Sequence, residues 1–530
     1  MLLKILSAVF YLLGALEAIF ILLYIPWAFL FVFEHVSLLS IAFWLNLLIL
    51  PIECFGLLFG SYLAFMVAGA FLQNSRSGFQ DFQNIKLSTT PKVSILIPVH
   101  DVPKKELELT LTETMKLTYS NFEIIIADNS DNKEIREEIK DLAETFNCQY
   151  TYNPNEQGFK AGALNKALKI ASGEYILVLD SDHHPVPNLL EGIIRAFQDS
   201  EIAFVQVKLL FRDYSRTQYT NASSLLNIQF HEVFQRAKDL RKAVIFSGST
   251  ACFRKSVLDE IGGFREETLT EDVDTCYHLL SQGYHSKAID MFGSVGTVPP
   301  SWKSQIFQLW RWAHGSISVL KNRRKEIIQG PIPKKVKIEL ILNGMAFFAG
   351  ISVMGMVLLL APMYWYGIEI LRPSVEIIIP NFLYSLLPSM LQGWITQIQF
   401  IPFYLAMPTF IFIGHLSAAT LAIVWVNRHT KKRVHSIFQL PSFYVLSLSV
   451  HPFLVSAVMN AFLGRKAQWT TELHLTRNTI FFSIIGLGLV IVGLKALIAF
   501  HPLAILFLVL ACAFLAPLMY IFERPKPEKR

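Results

Sequence analysis

The chain has 530 residues, of which 53% are hydrophobic and only 17% are charged, against a charged share of roughly 25% in soluble globular domains. This composition excludes an ordinary soluble protein and predicts a membrane protein. The formal net charge of +6 is too small and too scattered to indicate a nucleic-acid partner. The basic residues instead flank apolar segments, which is typical of membrane topology signals.

Two long apolar segments open the chain. From Ile5 to Phe33 the only charged residue is Glu17, and about 20 apolar residues suffice to cross the hydrocarbon core of a bilayer. A second apolar run extends from Leu39 to Leu72. We expect two membrane helices within residues 1–75, the first retained rather than cleaved as a signal peptide. Basic flanking residues place both outer ends of the pair in the cytosol: Lys4, Arg76 and Lys86.

Residues 91–330 form a segment of a different kind, because charges occur throughout it. Short apolar runs alternate there with amphipathic segments of helical length, which predicts an α/β domain with a mostly parallel sheet, inserted between transmembrane helices. Four runs have the length and composition of strands: Val93–Ile97, Glu123–Ala127, Tyr175–Leu179 and Ile202–Val207.

Hydrophobicity returns in a C-terminal region over residues 336–522. A run at Ser436–Leu463 is long enough to cross a membrane, but basic residues at both of its ends favour an interfacial or re-entrant segment. We therefore expect about six crossings in the whole chain and a short cytosolic tail at 523–530. Four further runs in this region have the length of membrane spans: 338–366, 400–427, 479–499 and 503–522.

Acidic residues follow two of the predicted strands. Asp128 comes directly after the strand at 123–127, and Asp180 and Asp182 follow the strand at 175–179. In open α/β sheets the ligand binds beyond the carboxyl ends of the strands, so these carboxylates are expected to face one crevice. Paired carboxylates at this spacing can bind a hard divalent cation. Ordinary turn residues are the alternative.

A glycine-rich segment at 158–165, with the sequence Gly-Phe-Lys-Ala-Gly-Ala-Leu-Asn, opens a helical pattern. Its glycines allow a close approach to the backbone and Lys160 supplies a positive charge, which together suit a phosphate at a helix N-terminus. The alternative is an ordinary helix start, where glycine is common.

A second acidic motif, Thr270-Glu271-Asp272, precedes a helical pattern. A transfer reaction needs one carboxylate that takes the proton of the acceptor hydroxyl, and an acid outside the metal pair suits that role. The alternative is that these acids only complement the dipole of the helix that they begin.

Gln308, Arg311 and Trp312 lie on one face of a predicted helix. Arginine can pair with a diphosphate, and tryptophan offers a flat surface for a sugar ring. The alternative is an amphipathic helix anchored at the membrane surface. Three histidines could suggest a metal site, but their spacing is not one that metal ligands use: His183, His184 and His314.

Taken in order, these motifs resemble the "D, DxD, TED, QxxRW" pattern of processive family 2 glycosyltransferases, which include cellulose, chitin, hyaluronan and mannan synthases. The resemblance extends over about residues 92–315. It includes the segment 158–165 and Phe246–Ala251, which is similar to an acceptor-side stretch of the family. It implies a GT-A catalytic domain on the cytosolic face of a membrane, the plasma membrane in our expectation, beside a transmembrane channel.

The resemblance also implies a role for each motif residue. Asp272 would be the general base, while Asp180 and Asp182 would hold the diphosphate of the donor through Mg²⁺ or Mn²⁺. Displacement at the anomeric carbon would invert its configuration and give a β-linkage. Donor and acceptor would be bound by Asp180 and six further residues: Asp128, Lys160, Glu271, Gln308, Arg311 and Trp312.

The predicted function is therefore that of an inverting hexosyltransferase that extends a β-linked polysaccharide and translocates it across the membrane. Its expected partners are a nucleotide sugar, with a UDP-sugar favoured over a GDP-sugar, a glycan or lipid acceptor and membrane lipid, but no nucleic acid. The sugar and the oligomeric state stay open. Four polar or aromatic residues are candidates for lining a channel: Glu17, Glu53, Asn343 and Trp425.

Two other functions compete with this prediction. A transferase that adds one sugar to a membrane lipid, similar to ceramide glucosyltransferases, carries similar motifs. A non-enzymatic transporter or scaffold with a cytosolic regulatory domain would leave the acidic motifs unexplained.

The sequence departs from the family pattern at three places. Asn129 stands where a second aspartate is frequent, and Trp469–Glu472 is only a partial counterpart of the gating loop of the family. Because only a short tail follows the last predicted span, we expect no cyclic-dinucleotide-binding domain in this chain.

Overall fold

A computed structural model of the chain places most of its residues. Two predicted features lie outside the described residues, namely Trp469–Glu472 and the tail at 523–530. The described ranges are 2–74, 89–154, 158–197, 199–213, 215–368, 374–376, 400–402, 406–430, 435–465, 475–499, 501 and 503–522.

The centre of the fold is an eight-stranded sheet in the order β3-β2-β1-β4-β7-β6-β8-β5. Strand β7 runs antiparallel to β4 and β6, and β5 runs antiparallel to β8, while the other neighbouring strands are parallel. The strands are β1 Val93–Val99, β2 Phe122–Asp128, β3 Gln149–Tyr152, β4 Tyr175–Val178, β5 His184–Pro185, β6 Ile202–Phe211, β7 Ala251–Arg254 and β8 His285–Gly296. This mixed, mostly parallel sheet confirms the predicted α/β architecture, and β1, β2, β4 and β6 are the four predicted strands.

Two helices precede the sheet, α1 Leu2–His35 and α2 Ile41–Asn74. A π-helix at Phe230–Gln235 joins α7 to α8. The helices of the domain are α3 Lys104–Thr114, α4 Lys133–Thr145, α5 Phe159–Ile170, α6 Leu189–Ala196, α7 Gln218–Gln229, α8 Arg236–Asp239, α9 Lys255–Glu260, α10 Glu271–Ser281 and α11 Trp302–Gln329.

Helices cover both faces of the sheet, which explains why every residue of β1 is buried. Successive side chains of a strand point to opposite faces. Val93, Ile95 and Ile97 therefore pack in one core with α3, α4 and α6. Leu96 packs on the other face, in a core with α5, α10 and α11. An apolar run with no polar alternation is the sequence pattern of such a doubly covered strand.

The helices of the C-terminal region are accompanied, within its described residues, by a two-stranded pair formed by Ser374–Glu376 and Phe400–Pro402. Short 3₁₀ turns occur at Ala346–Phe348 and Ile437–Gln439. The helices are α12 Lys334–Met345, α13 Ala349–Trp365, α14 Ala406–His429, α15 Leu440–Ser449, α16 His451–Phe462, α17 Leu475–Ile498 and α18 Leu503–Phe522.

Within the described residues, five helical segments are long and apolar enough to cross a membrane, against about six expected. One of the five, Ile437–Phe462, is the segment expected to be interfacial or re-entrant. It consists of a 3₁₀ turn and two helices, and the two helices meet at Val450, two residues before Pro452. The predicted run at 400–427 is not among the five, and residues 403–405 of this run lie outside the described residues. The candidate spans are Leu3–His35, Ile41–Asn74, Lys334–Trp365, Ile437–Phe462 and Thr479–Ile498.

Buried ion pairs join the α/β domain to the membrane helices. Lys238 of α8 donates hydrogen bonds to Glu339 and Asn343 of α12, and both charged side chains are almost fully buried. The guanidinium of Arg236 lies over the ring of Trp425 in α14. Two of the residues expected to line a channel, Asn343 and Trp425, are therefore in contact with the α/β domain.

The other two channel candidates lie between α1 and α2. Glu53 accepts a hydrogen bond from Tyr24 of α1, and Glu17 is buried with 3% of its surface exposed.

Candidate active site

A cavity of about 250 Å³ brings together most of the predicted site residues. It opens beyond the carboxyl end of β4, at the edge of the sheet where the sequence predicts the ligand. The residues that line it include Gly158, Lys160, Asp180, Asp182, His183, Ser247, Gly248, Ser249, Thr270, Glu271, Asp272, Thr297, Gln308, Arg311 and Trp312.

Asp180 and Asp182 lie in the turn that follows β4. The backbone N–H of Asp180 donates to Oγ of Ser249 over 3.0 Å. Oδ2 of Asp182 accepts a hydrogen bond of 2.6 Å from Thr297, which directly follows β8. Both carboxylates keep about a third of their side-chain surface exposed, so each can still reach a ligand.

His183 belongs to the same cluster. The ligand atoms of Asp180, Asp182 and His183 all lie within 4.8 Å of one another. Nδ1 of His183 is 2.9 Å from Oγ of Ser294, which leaves Nε2 on the side of Asp182 at 3.9 Å. The two carboxylates supply the oxygen ligands that suit Mg²⁺ or Mn²⁺, and the imidazole of His183 lies beside them. No ligand spacing in the sequence indicates a metal role for His183, and its position directly after Asp182 was the available signal.

Lys160 extends from the first turn of α5 into the acidic part of the cavity. Its Nζ donates to Oδ1 of Asp180 over 2.6 Å and to the carbonyl of Gly248 over 2.8 Å, and lies 3.8 Å from Glu271. Burial alone would lower the pKa of Lys160, but the carboxylates of Asp180 and Glu271 raise it overall. The lysine is thus a fixed positive charge that joins the two acidic motifs.

Asn165 gives the glycine-rich segment a structural role as well. Its side chain accepts a hydrogen bond from the N–H of Phe264 and donates one to the carbonyl of the same residue, each over 2.8 Å. The close approach requires Gly263, because a β-carbon there would lie 2.5 Å from Oδ1 of Asn165. Asn165 therefore fixes the loop that leads to Thr270.

Asp272 stands in the first turn of α10, where its Oδ1 accepts the backbone N–H of Val273 over 2.8 Å. Its other oxygen, Oδ2, faces Gly248, where a β-carbon would lie 3.1 Å away. Burial and the neighbouring charge of Glu271 raise the pKa of Asp272 to about 7. A carboxylate whose pKa lies near neutrality is suited to accept a proton in catalysis.

Helix α11 carries the third part of the site. A reciprocal pair of hydrogen bonds between Ser301 and Ser304 caps its start. Nε1 of Trp310 donates to Ser456 of α16 over 3.0 Å, which fixes the helix against the membrane region. Gln308 and Arg311 then face the cavity. Burial lowers the pKa of Arg311 despite the carboxylates of Glu271 and Asp272.

The cavity is therefore strongly acidic. Four carboxylates line it, from Asp180, Asp182, Glu271 and Asp272, against the two positive charges of Lys160 and Arg311. This excess of negative charge favours a divalent cation together with a polyanionic ligand such as a diphosphate.

Asp128 is the one predicted site residue that does not line the cavity. It ends β2 and is completely buried. Its Oδ1 accepts the N–H of Ser130 over 2.8 Å, and its Oδ2 accepts a hydrogen bond of 2.7 Å from Tyr150 of β3. The following residue, Asn129, uses its N–H to bond the carbonyl of Val99. Asp128 thus holds the ends of neighbouring strands together at the edge of the sheet where the cavity opens.

Known proteins resemble the part of the chain that forms this site. Residues 94–262 match the family model described as "Glycosyl transferase family 2". The cellulose synthase 1 catalytic subunit [UDP-forming] of Komagataeibacter xylinus is 30% identical over 44% of this chain and 31% of its own length. The cellulose synthase catalytic subunit [UDP-forming] of Pseudomonas fluorescens is 27% identical over 57% of this chain and 42% of its own length.

A plant protein extends the comparison. The probable glucomannan 4-beta-mannosyltransferase 15 of Arabidopsis thaliana is 25% identical over 47% of this chain and 48% of its own length. The chain thus spans between about a third and a half of the length of these relatives. The matched segment contains β1, β2, β4 and the Asp180–Asp182 motif, with the candidate spans on either side of it. The α/β domain of this integral membrane protein therefore contains a segment, residues 94–262, that matches glycosyltransferase family 2.

Proposed function

We propose that this protein is a membrane-embedded inverting hexosyltransferase that uses a nucleotide-diphosphate sugar to extend a β-linked polysaccharide. The observation that carries the proposal is the convergence of three motifs in one cavity. Three groups of residues from separate parts of the chain line the same cavity of about 250 Å³. They are Asp180 with Asp182, Asp272, and the face of α11 from Gln308 to Trp312. The family model ends at residue 262, so the roles of Asp272 and of the α11 residues rest on this geometry.

The proposed transfer step uses the residues on opposite sides of the cavity. A hydroxyl oxygen of the acceptor attacks the anomeric carbon of the donor, and the bond between that carbon and the diphosphate oxygen breaks. The hydroxyl proton passes to the carboxylate of Asp272, and the nucleoside diphosphate leaves with the bonding electrons. Because the acceptor oxygen enters opposite the leaving diphosphate, an α-linked donor gives a β-linked product.

The remaining residues bind and orient the two substrates. Gln308 and Arg311 supply an amide and a guanidinium for the diphosphate, and the ring of Trp312 is the surface for the terminal sugar of the acceptor. Lys160 keeps Asp180 and Glu271 in place rather than contacting a phosphate in the present geometry.

Asp180, Asp182 and His183 are the residues that would hold a divalent cation, Mg²⁺ or Mn²⁺. When bound, the cation neutralises charge that develops on the leaving diphosphate. Two of the relatives are named as UDP-forming, which supports a UDP-sugar as donor. Another is named as a mannosyltransferase, so glucose and mannose are both candidate sugars, and GDP-mannose belongs among the donors tested.

We infer that the catalytic domain lies on the cytosolic side of the plasma membrane. Basic residues flank the membrane helices on the side of the domain, and the stretch Lys321–Lys325 follows the cavity-lining turns of α11.

The proposal is tested with the full chain reconstituted in lipid vesicles. Labelled UDP-glucose, UDP-N-acetylglucosamine and GDP-mannose are offered separately with Mg²⁺ or Mn²⁺, and the product is sized. A long polymer from one donor is the expected result and identifies the sugar. A product that carries one sugar on a lipid would instead show a monotransferase, and absence of transfer from all three donors would contradict the proposal.

A further inference from the structure

The segment Ile245–Thr250 contacts three charged residues of the cavity. The carbonyl of Gly248 accepts the hydrogen bond from Lys160, and Oγ of Ser249 accepts the N–H of Asp180. Gly248 also lies against Oδ2 of Asp272. A displacement of this segment would therefore change the positions of Lys160, Asp180 and Asp272 together.

The backbone of this segment is strained. Gly248 has a φ of 86° and Thr250 a φ of 50°. For a β-branched residue such as threonine this left-handed conformation is unfavourable and persists only where surrounding contacts impose it. The N–H of Thr250 donates a hydrogen bond of 2.7 Å to the carbonyl of Val178 in β4. The residues of the segment before Thr250 need other contacts to hold their conformation.

Gln206 of β6 supplies contacts on one side of the segment. Its side chain is buried, with 1% of its surface exposed. Oε1 accepts the N–H of Ser247 over 3.1 Å, and Nε2 donates to the carbonyls of Ser249 and Val207, each over 3.0 Å. One amide thus bridges the residues on both sides of Gly248.

Gln235 supplies contacts at the start of the segment. It is also buried, with 1% of its surface exposed. Its Oε1 accepts the N–H of Ile245 over 3.0 Å, and its Nε2 donates to the carbonyl of the same residue. Gln235 is the last residue of the π-helix. Such helices are rare and are often found at functional sites.

We propose that Gln206 and Gln235 are positioning residues that hold Ile245–Thr250 in the strained conformation required for transfer. Neither side chain lines the cavity, so both act through the segment and not through substrate contact. The claim that the position of the segment matters for transfer rests on the proposed transferase function. The claim that the two glutamines hold the segment does not. A misplacement of about 1 Å at a reacting group can reduce a rate by roughly 100-fold.

The test replaces each glutamine by methionine, which has a similar volume and cannot make these hydrogen bonds. The matched control is Gln305→Met. Gln305 is equally buried and accepts hydrogen bonds from Tyr219 and Ser223 rather than from the segment. Hydrogen exchange of the full chain in vesicles is followed for the peptide that contains the N–H groups of Ile245 and Ser247. Transfer kinetics are measured with the donor that the wild-type protein uses.

We expect Gln206→Met and Gln235→Met to speed exchange in this peptide and to lower kcat by about 10- to 100-fold, with donor KM changed less than about threefold. The control should leave both readouts near wild type. If Gln206→Met does not fold, Gln235→Met decides alone, because it removes the contacts to Ile245 through a different side chain.

Two results would overturn the proposal. Unchanged exchange would show that the glutamines do not hold the segment, and faster exchange with wild-type kcat would show that its position does not matter. If the wild-type protein transfers none of the three sugars, the proposed function fails. The exchange comparison then decides alone whether the glutamines fix the segment.

Discussion

Thr270 packs directly onto the backbone of α11 at Gly315. A β-carbon at position 315 would lie 2.2 Å from Oγ1 of Thr270, a distance that no packed pair of atoms tolerates. Gly315 follows Arg311 by four residues and thus lies on the same face of α11. The contact therefore sets the distance between the turn that carries Asp272 and the helix face that carries Arg311.

The first prediction concerns this contact. Gly315→Ala should separate α10 from α11, because the added methyl group overlaps Thr270, and should cost about 1–3 kcal/mol of stability. Transfer should fall by at least about tenfold. Thermal unfolding and transfer rates in the same vesicle preparation measure both effects. Gly488→Ala is the control, since its β-carbon would meet nothing within 4 Å, and wild-type behaviour of Gly315→Ala would contradict the account.

The second prediction compares a proposed metal ligand with its hydrogen-bond partner. Thr297→Val removes the hydrogen bond to Oδ2 of Asp182 and should weaken Mn²⁺ binding by roughly 10- to 100-fold. Asp182→Asn removes the charge itself and should weaken binding by more. Electron paramagnetic resonance of free Mn²⁺ measures both without reference to activity. Equal Mn²⁺ affinity of wild type and Asp182→Asn would exclude this cluster as the metal site.

The third prediction concerns pH. Because burial and Glu271 raise the pKa of Asp272 to about 7, the base is protonated below this pH and ionised above it. Transfer should therefore rise with pH through neutrality and level off when Asp272 is ionised. A cation at Asp180 favours the ionised form, so the midpoint at saturating metal is expected at or below about 7. A kcat profile that is flat from pH 5 to pH 8 would contradict the assignment of Asp272 as the base.

The fourth prediction concerns the attachment of the domain to the membrane helices. Glu339→Gln leaves Lys238 buried without its opposite charge, and breaking such a pair costs about 3–5 kcal/mol. Glu201→Gln removes an ion pair in which Glu201 is 63% exposed and should cost less than about 1 kcal/mol. Thermal unfolding in detergent compares the stability of the two variants, and equal melting temperatures would refute the prediction.

Much of the site could be predicted from the sequence because its residues occur in short motifs at strand and helix ends. The apolar runs at 93–97 and 175–179 became adjacent parallel strands, and the carboxylates that follow β4 therefore face the cavity. The helix face of Gln308, Arg311 and Trp312 follows from the 3.6-residue period alone. In each case local spacing determines which way the side chains point.

Other features depend on contacts between distant residues and leave no local pattern. Gln206 of β6 and Gln235 of the π-helix both hydrogen-bond to the segment Ile245–Thr250. No pattern in the residues around either glutamine indicates that its side-chain amide bonds to the backbone of that segment. The pairing of Lys238 with Glu339 spans 101 residues. Asp128 was expected to face the crevice. Its carboxylate oxygens instead accept hydrogen bonds from Ser130 and Tyr150. The pairing of β3 with β2, which brings Tyr150 next to Asp128, could not be predicted from the sequence.

The measurement that tests the central claim most directly compares Asp272→Asn with the wild-type protein, in single-turnover sugar transfer and in donor binding on the same vesicles. Asp259→Asn is the control, because Asp259 is half exposed on α9 and pairs only with Lys255 among the described contacts. The account predicts that Asp272→Asn binds the donor with wild-type affinity and transfers sugar about 100- to 10,000-fold more slowly. A variant that binds the donor and transfers at the wild-type rate would contradict it.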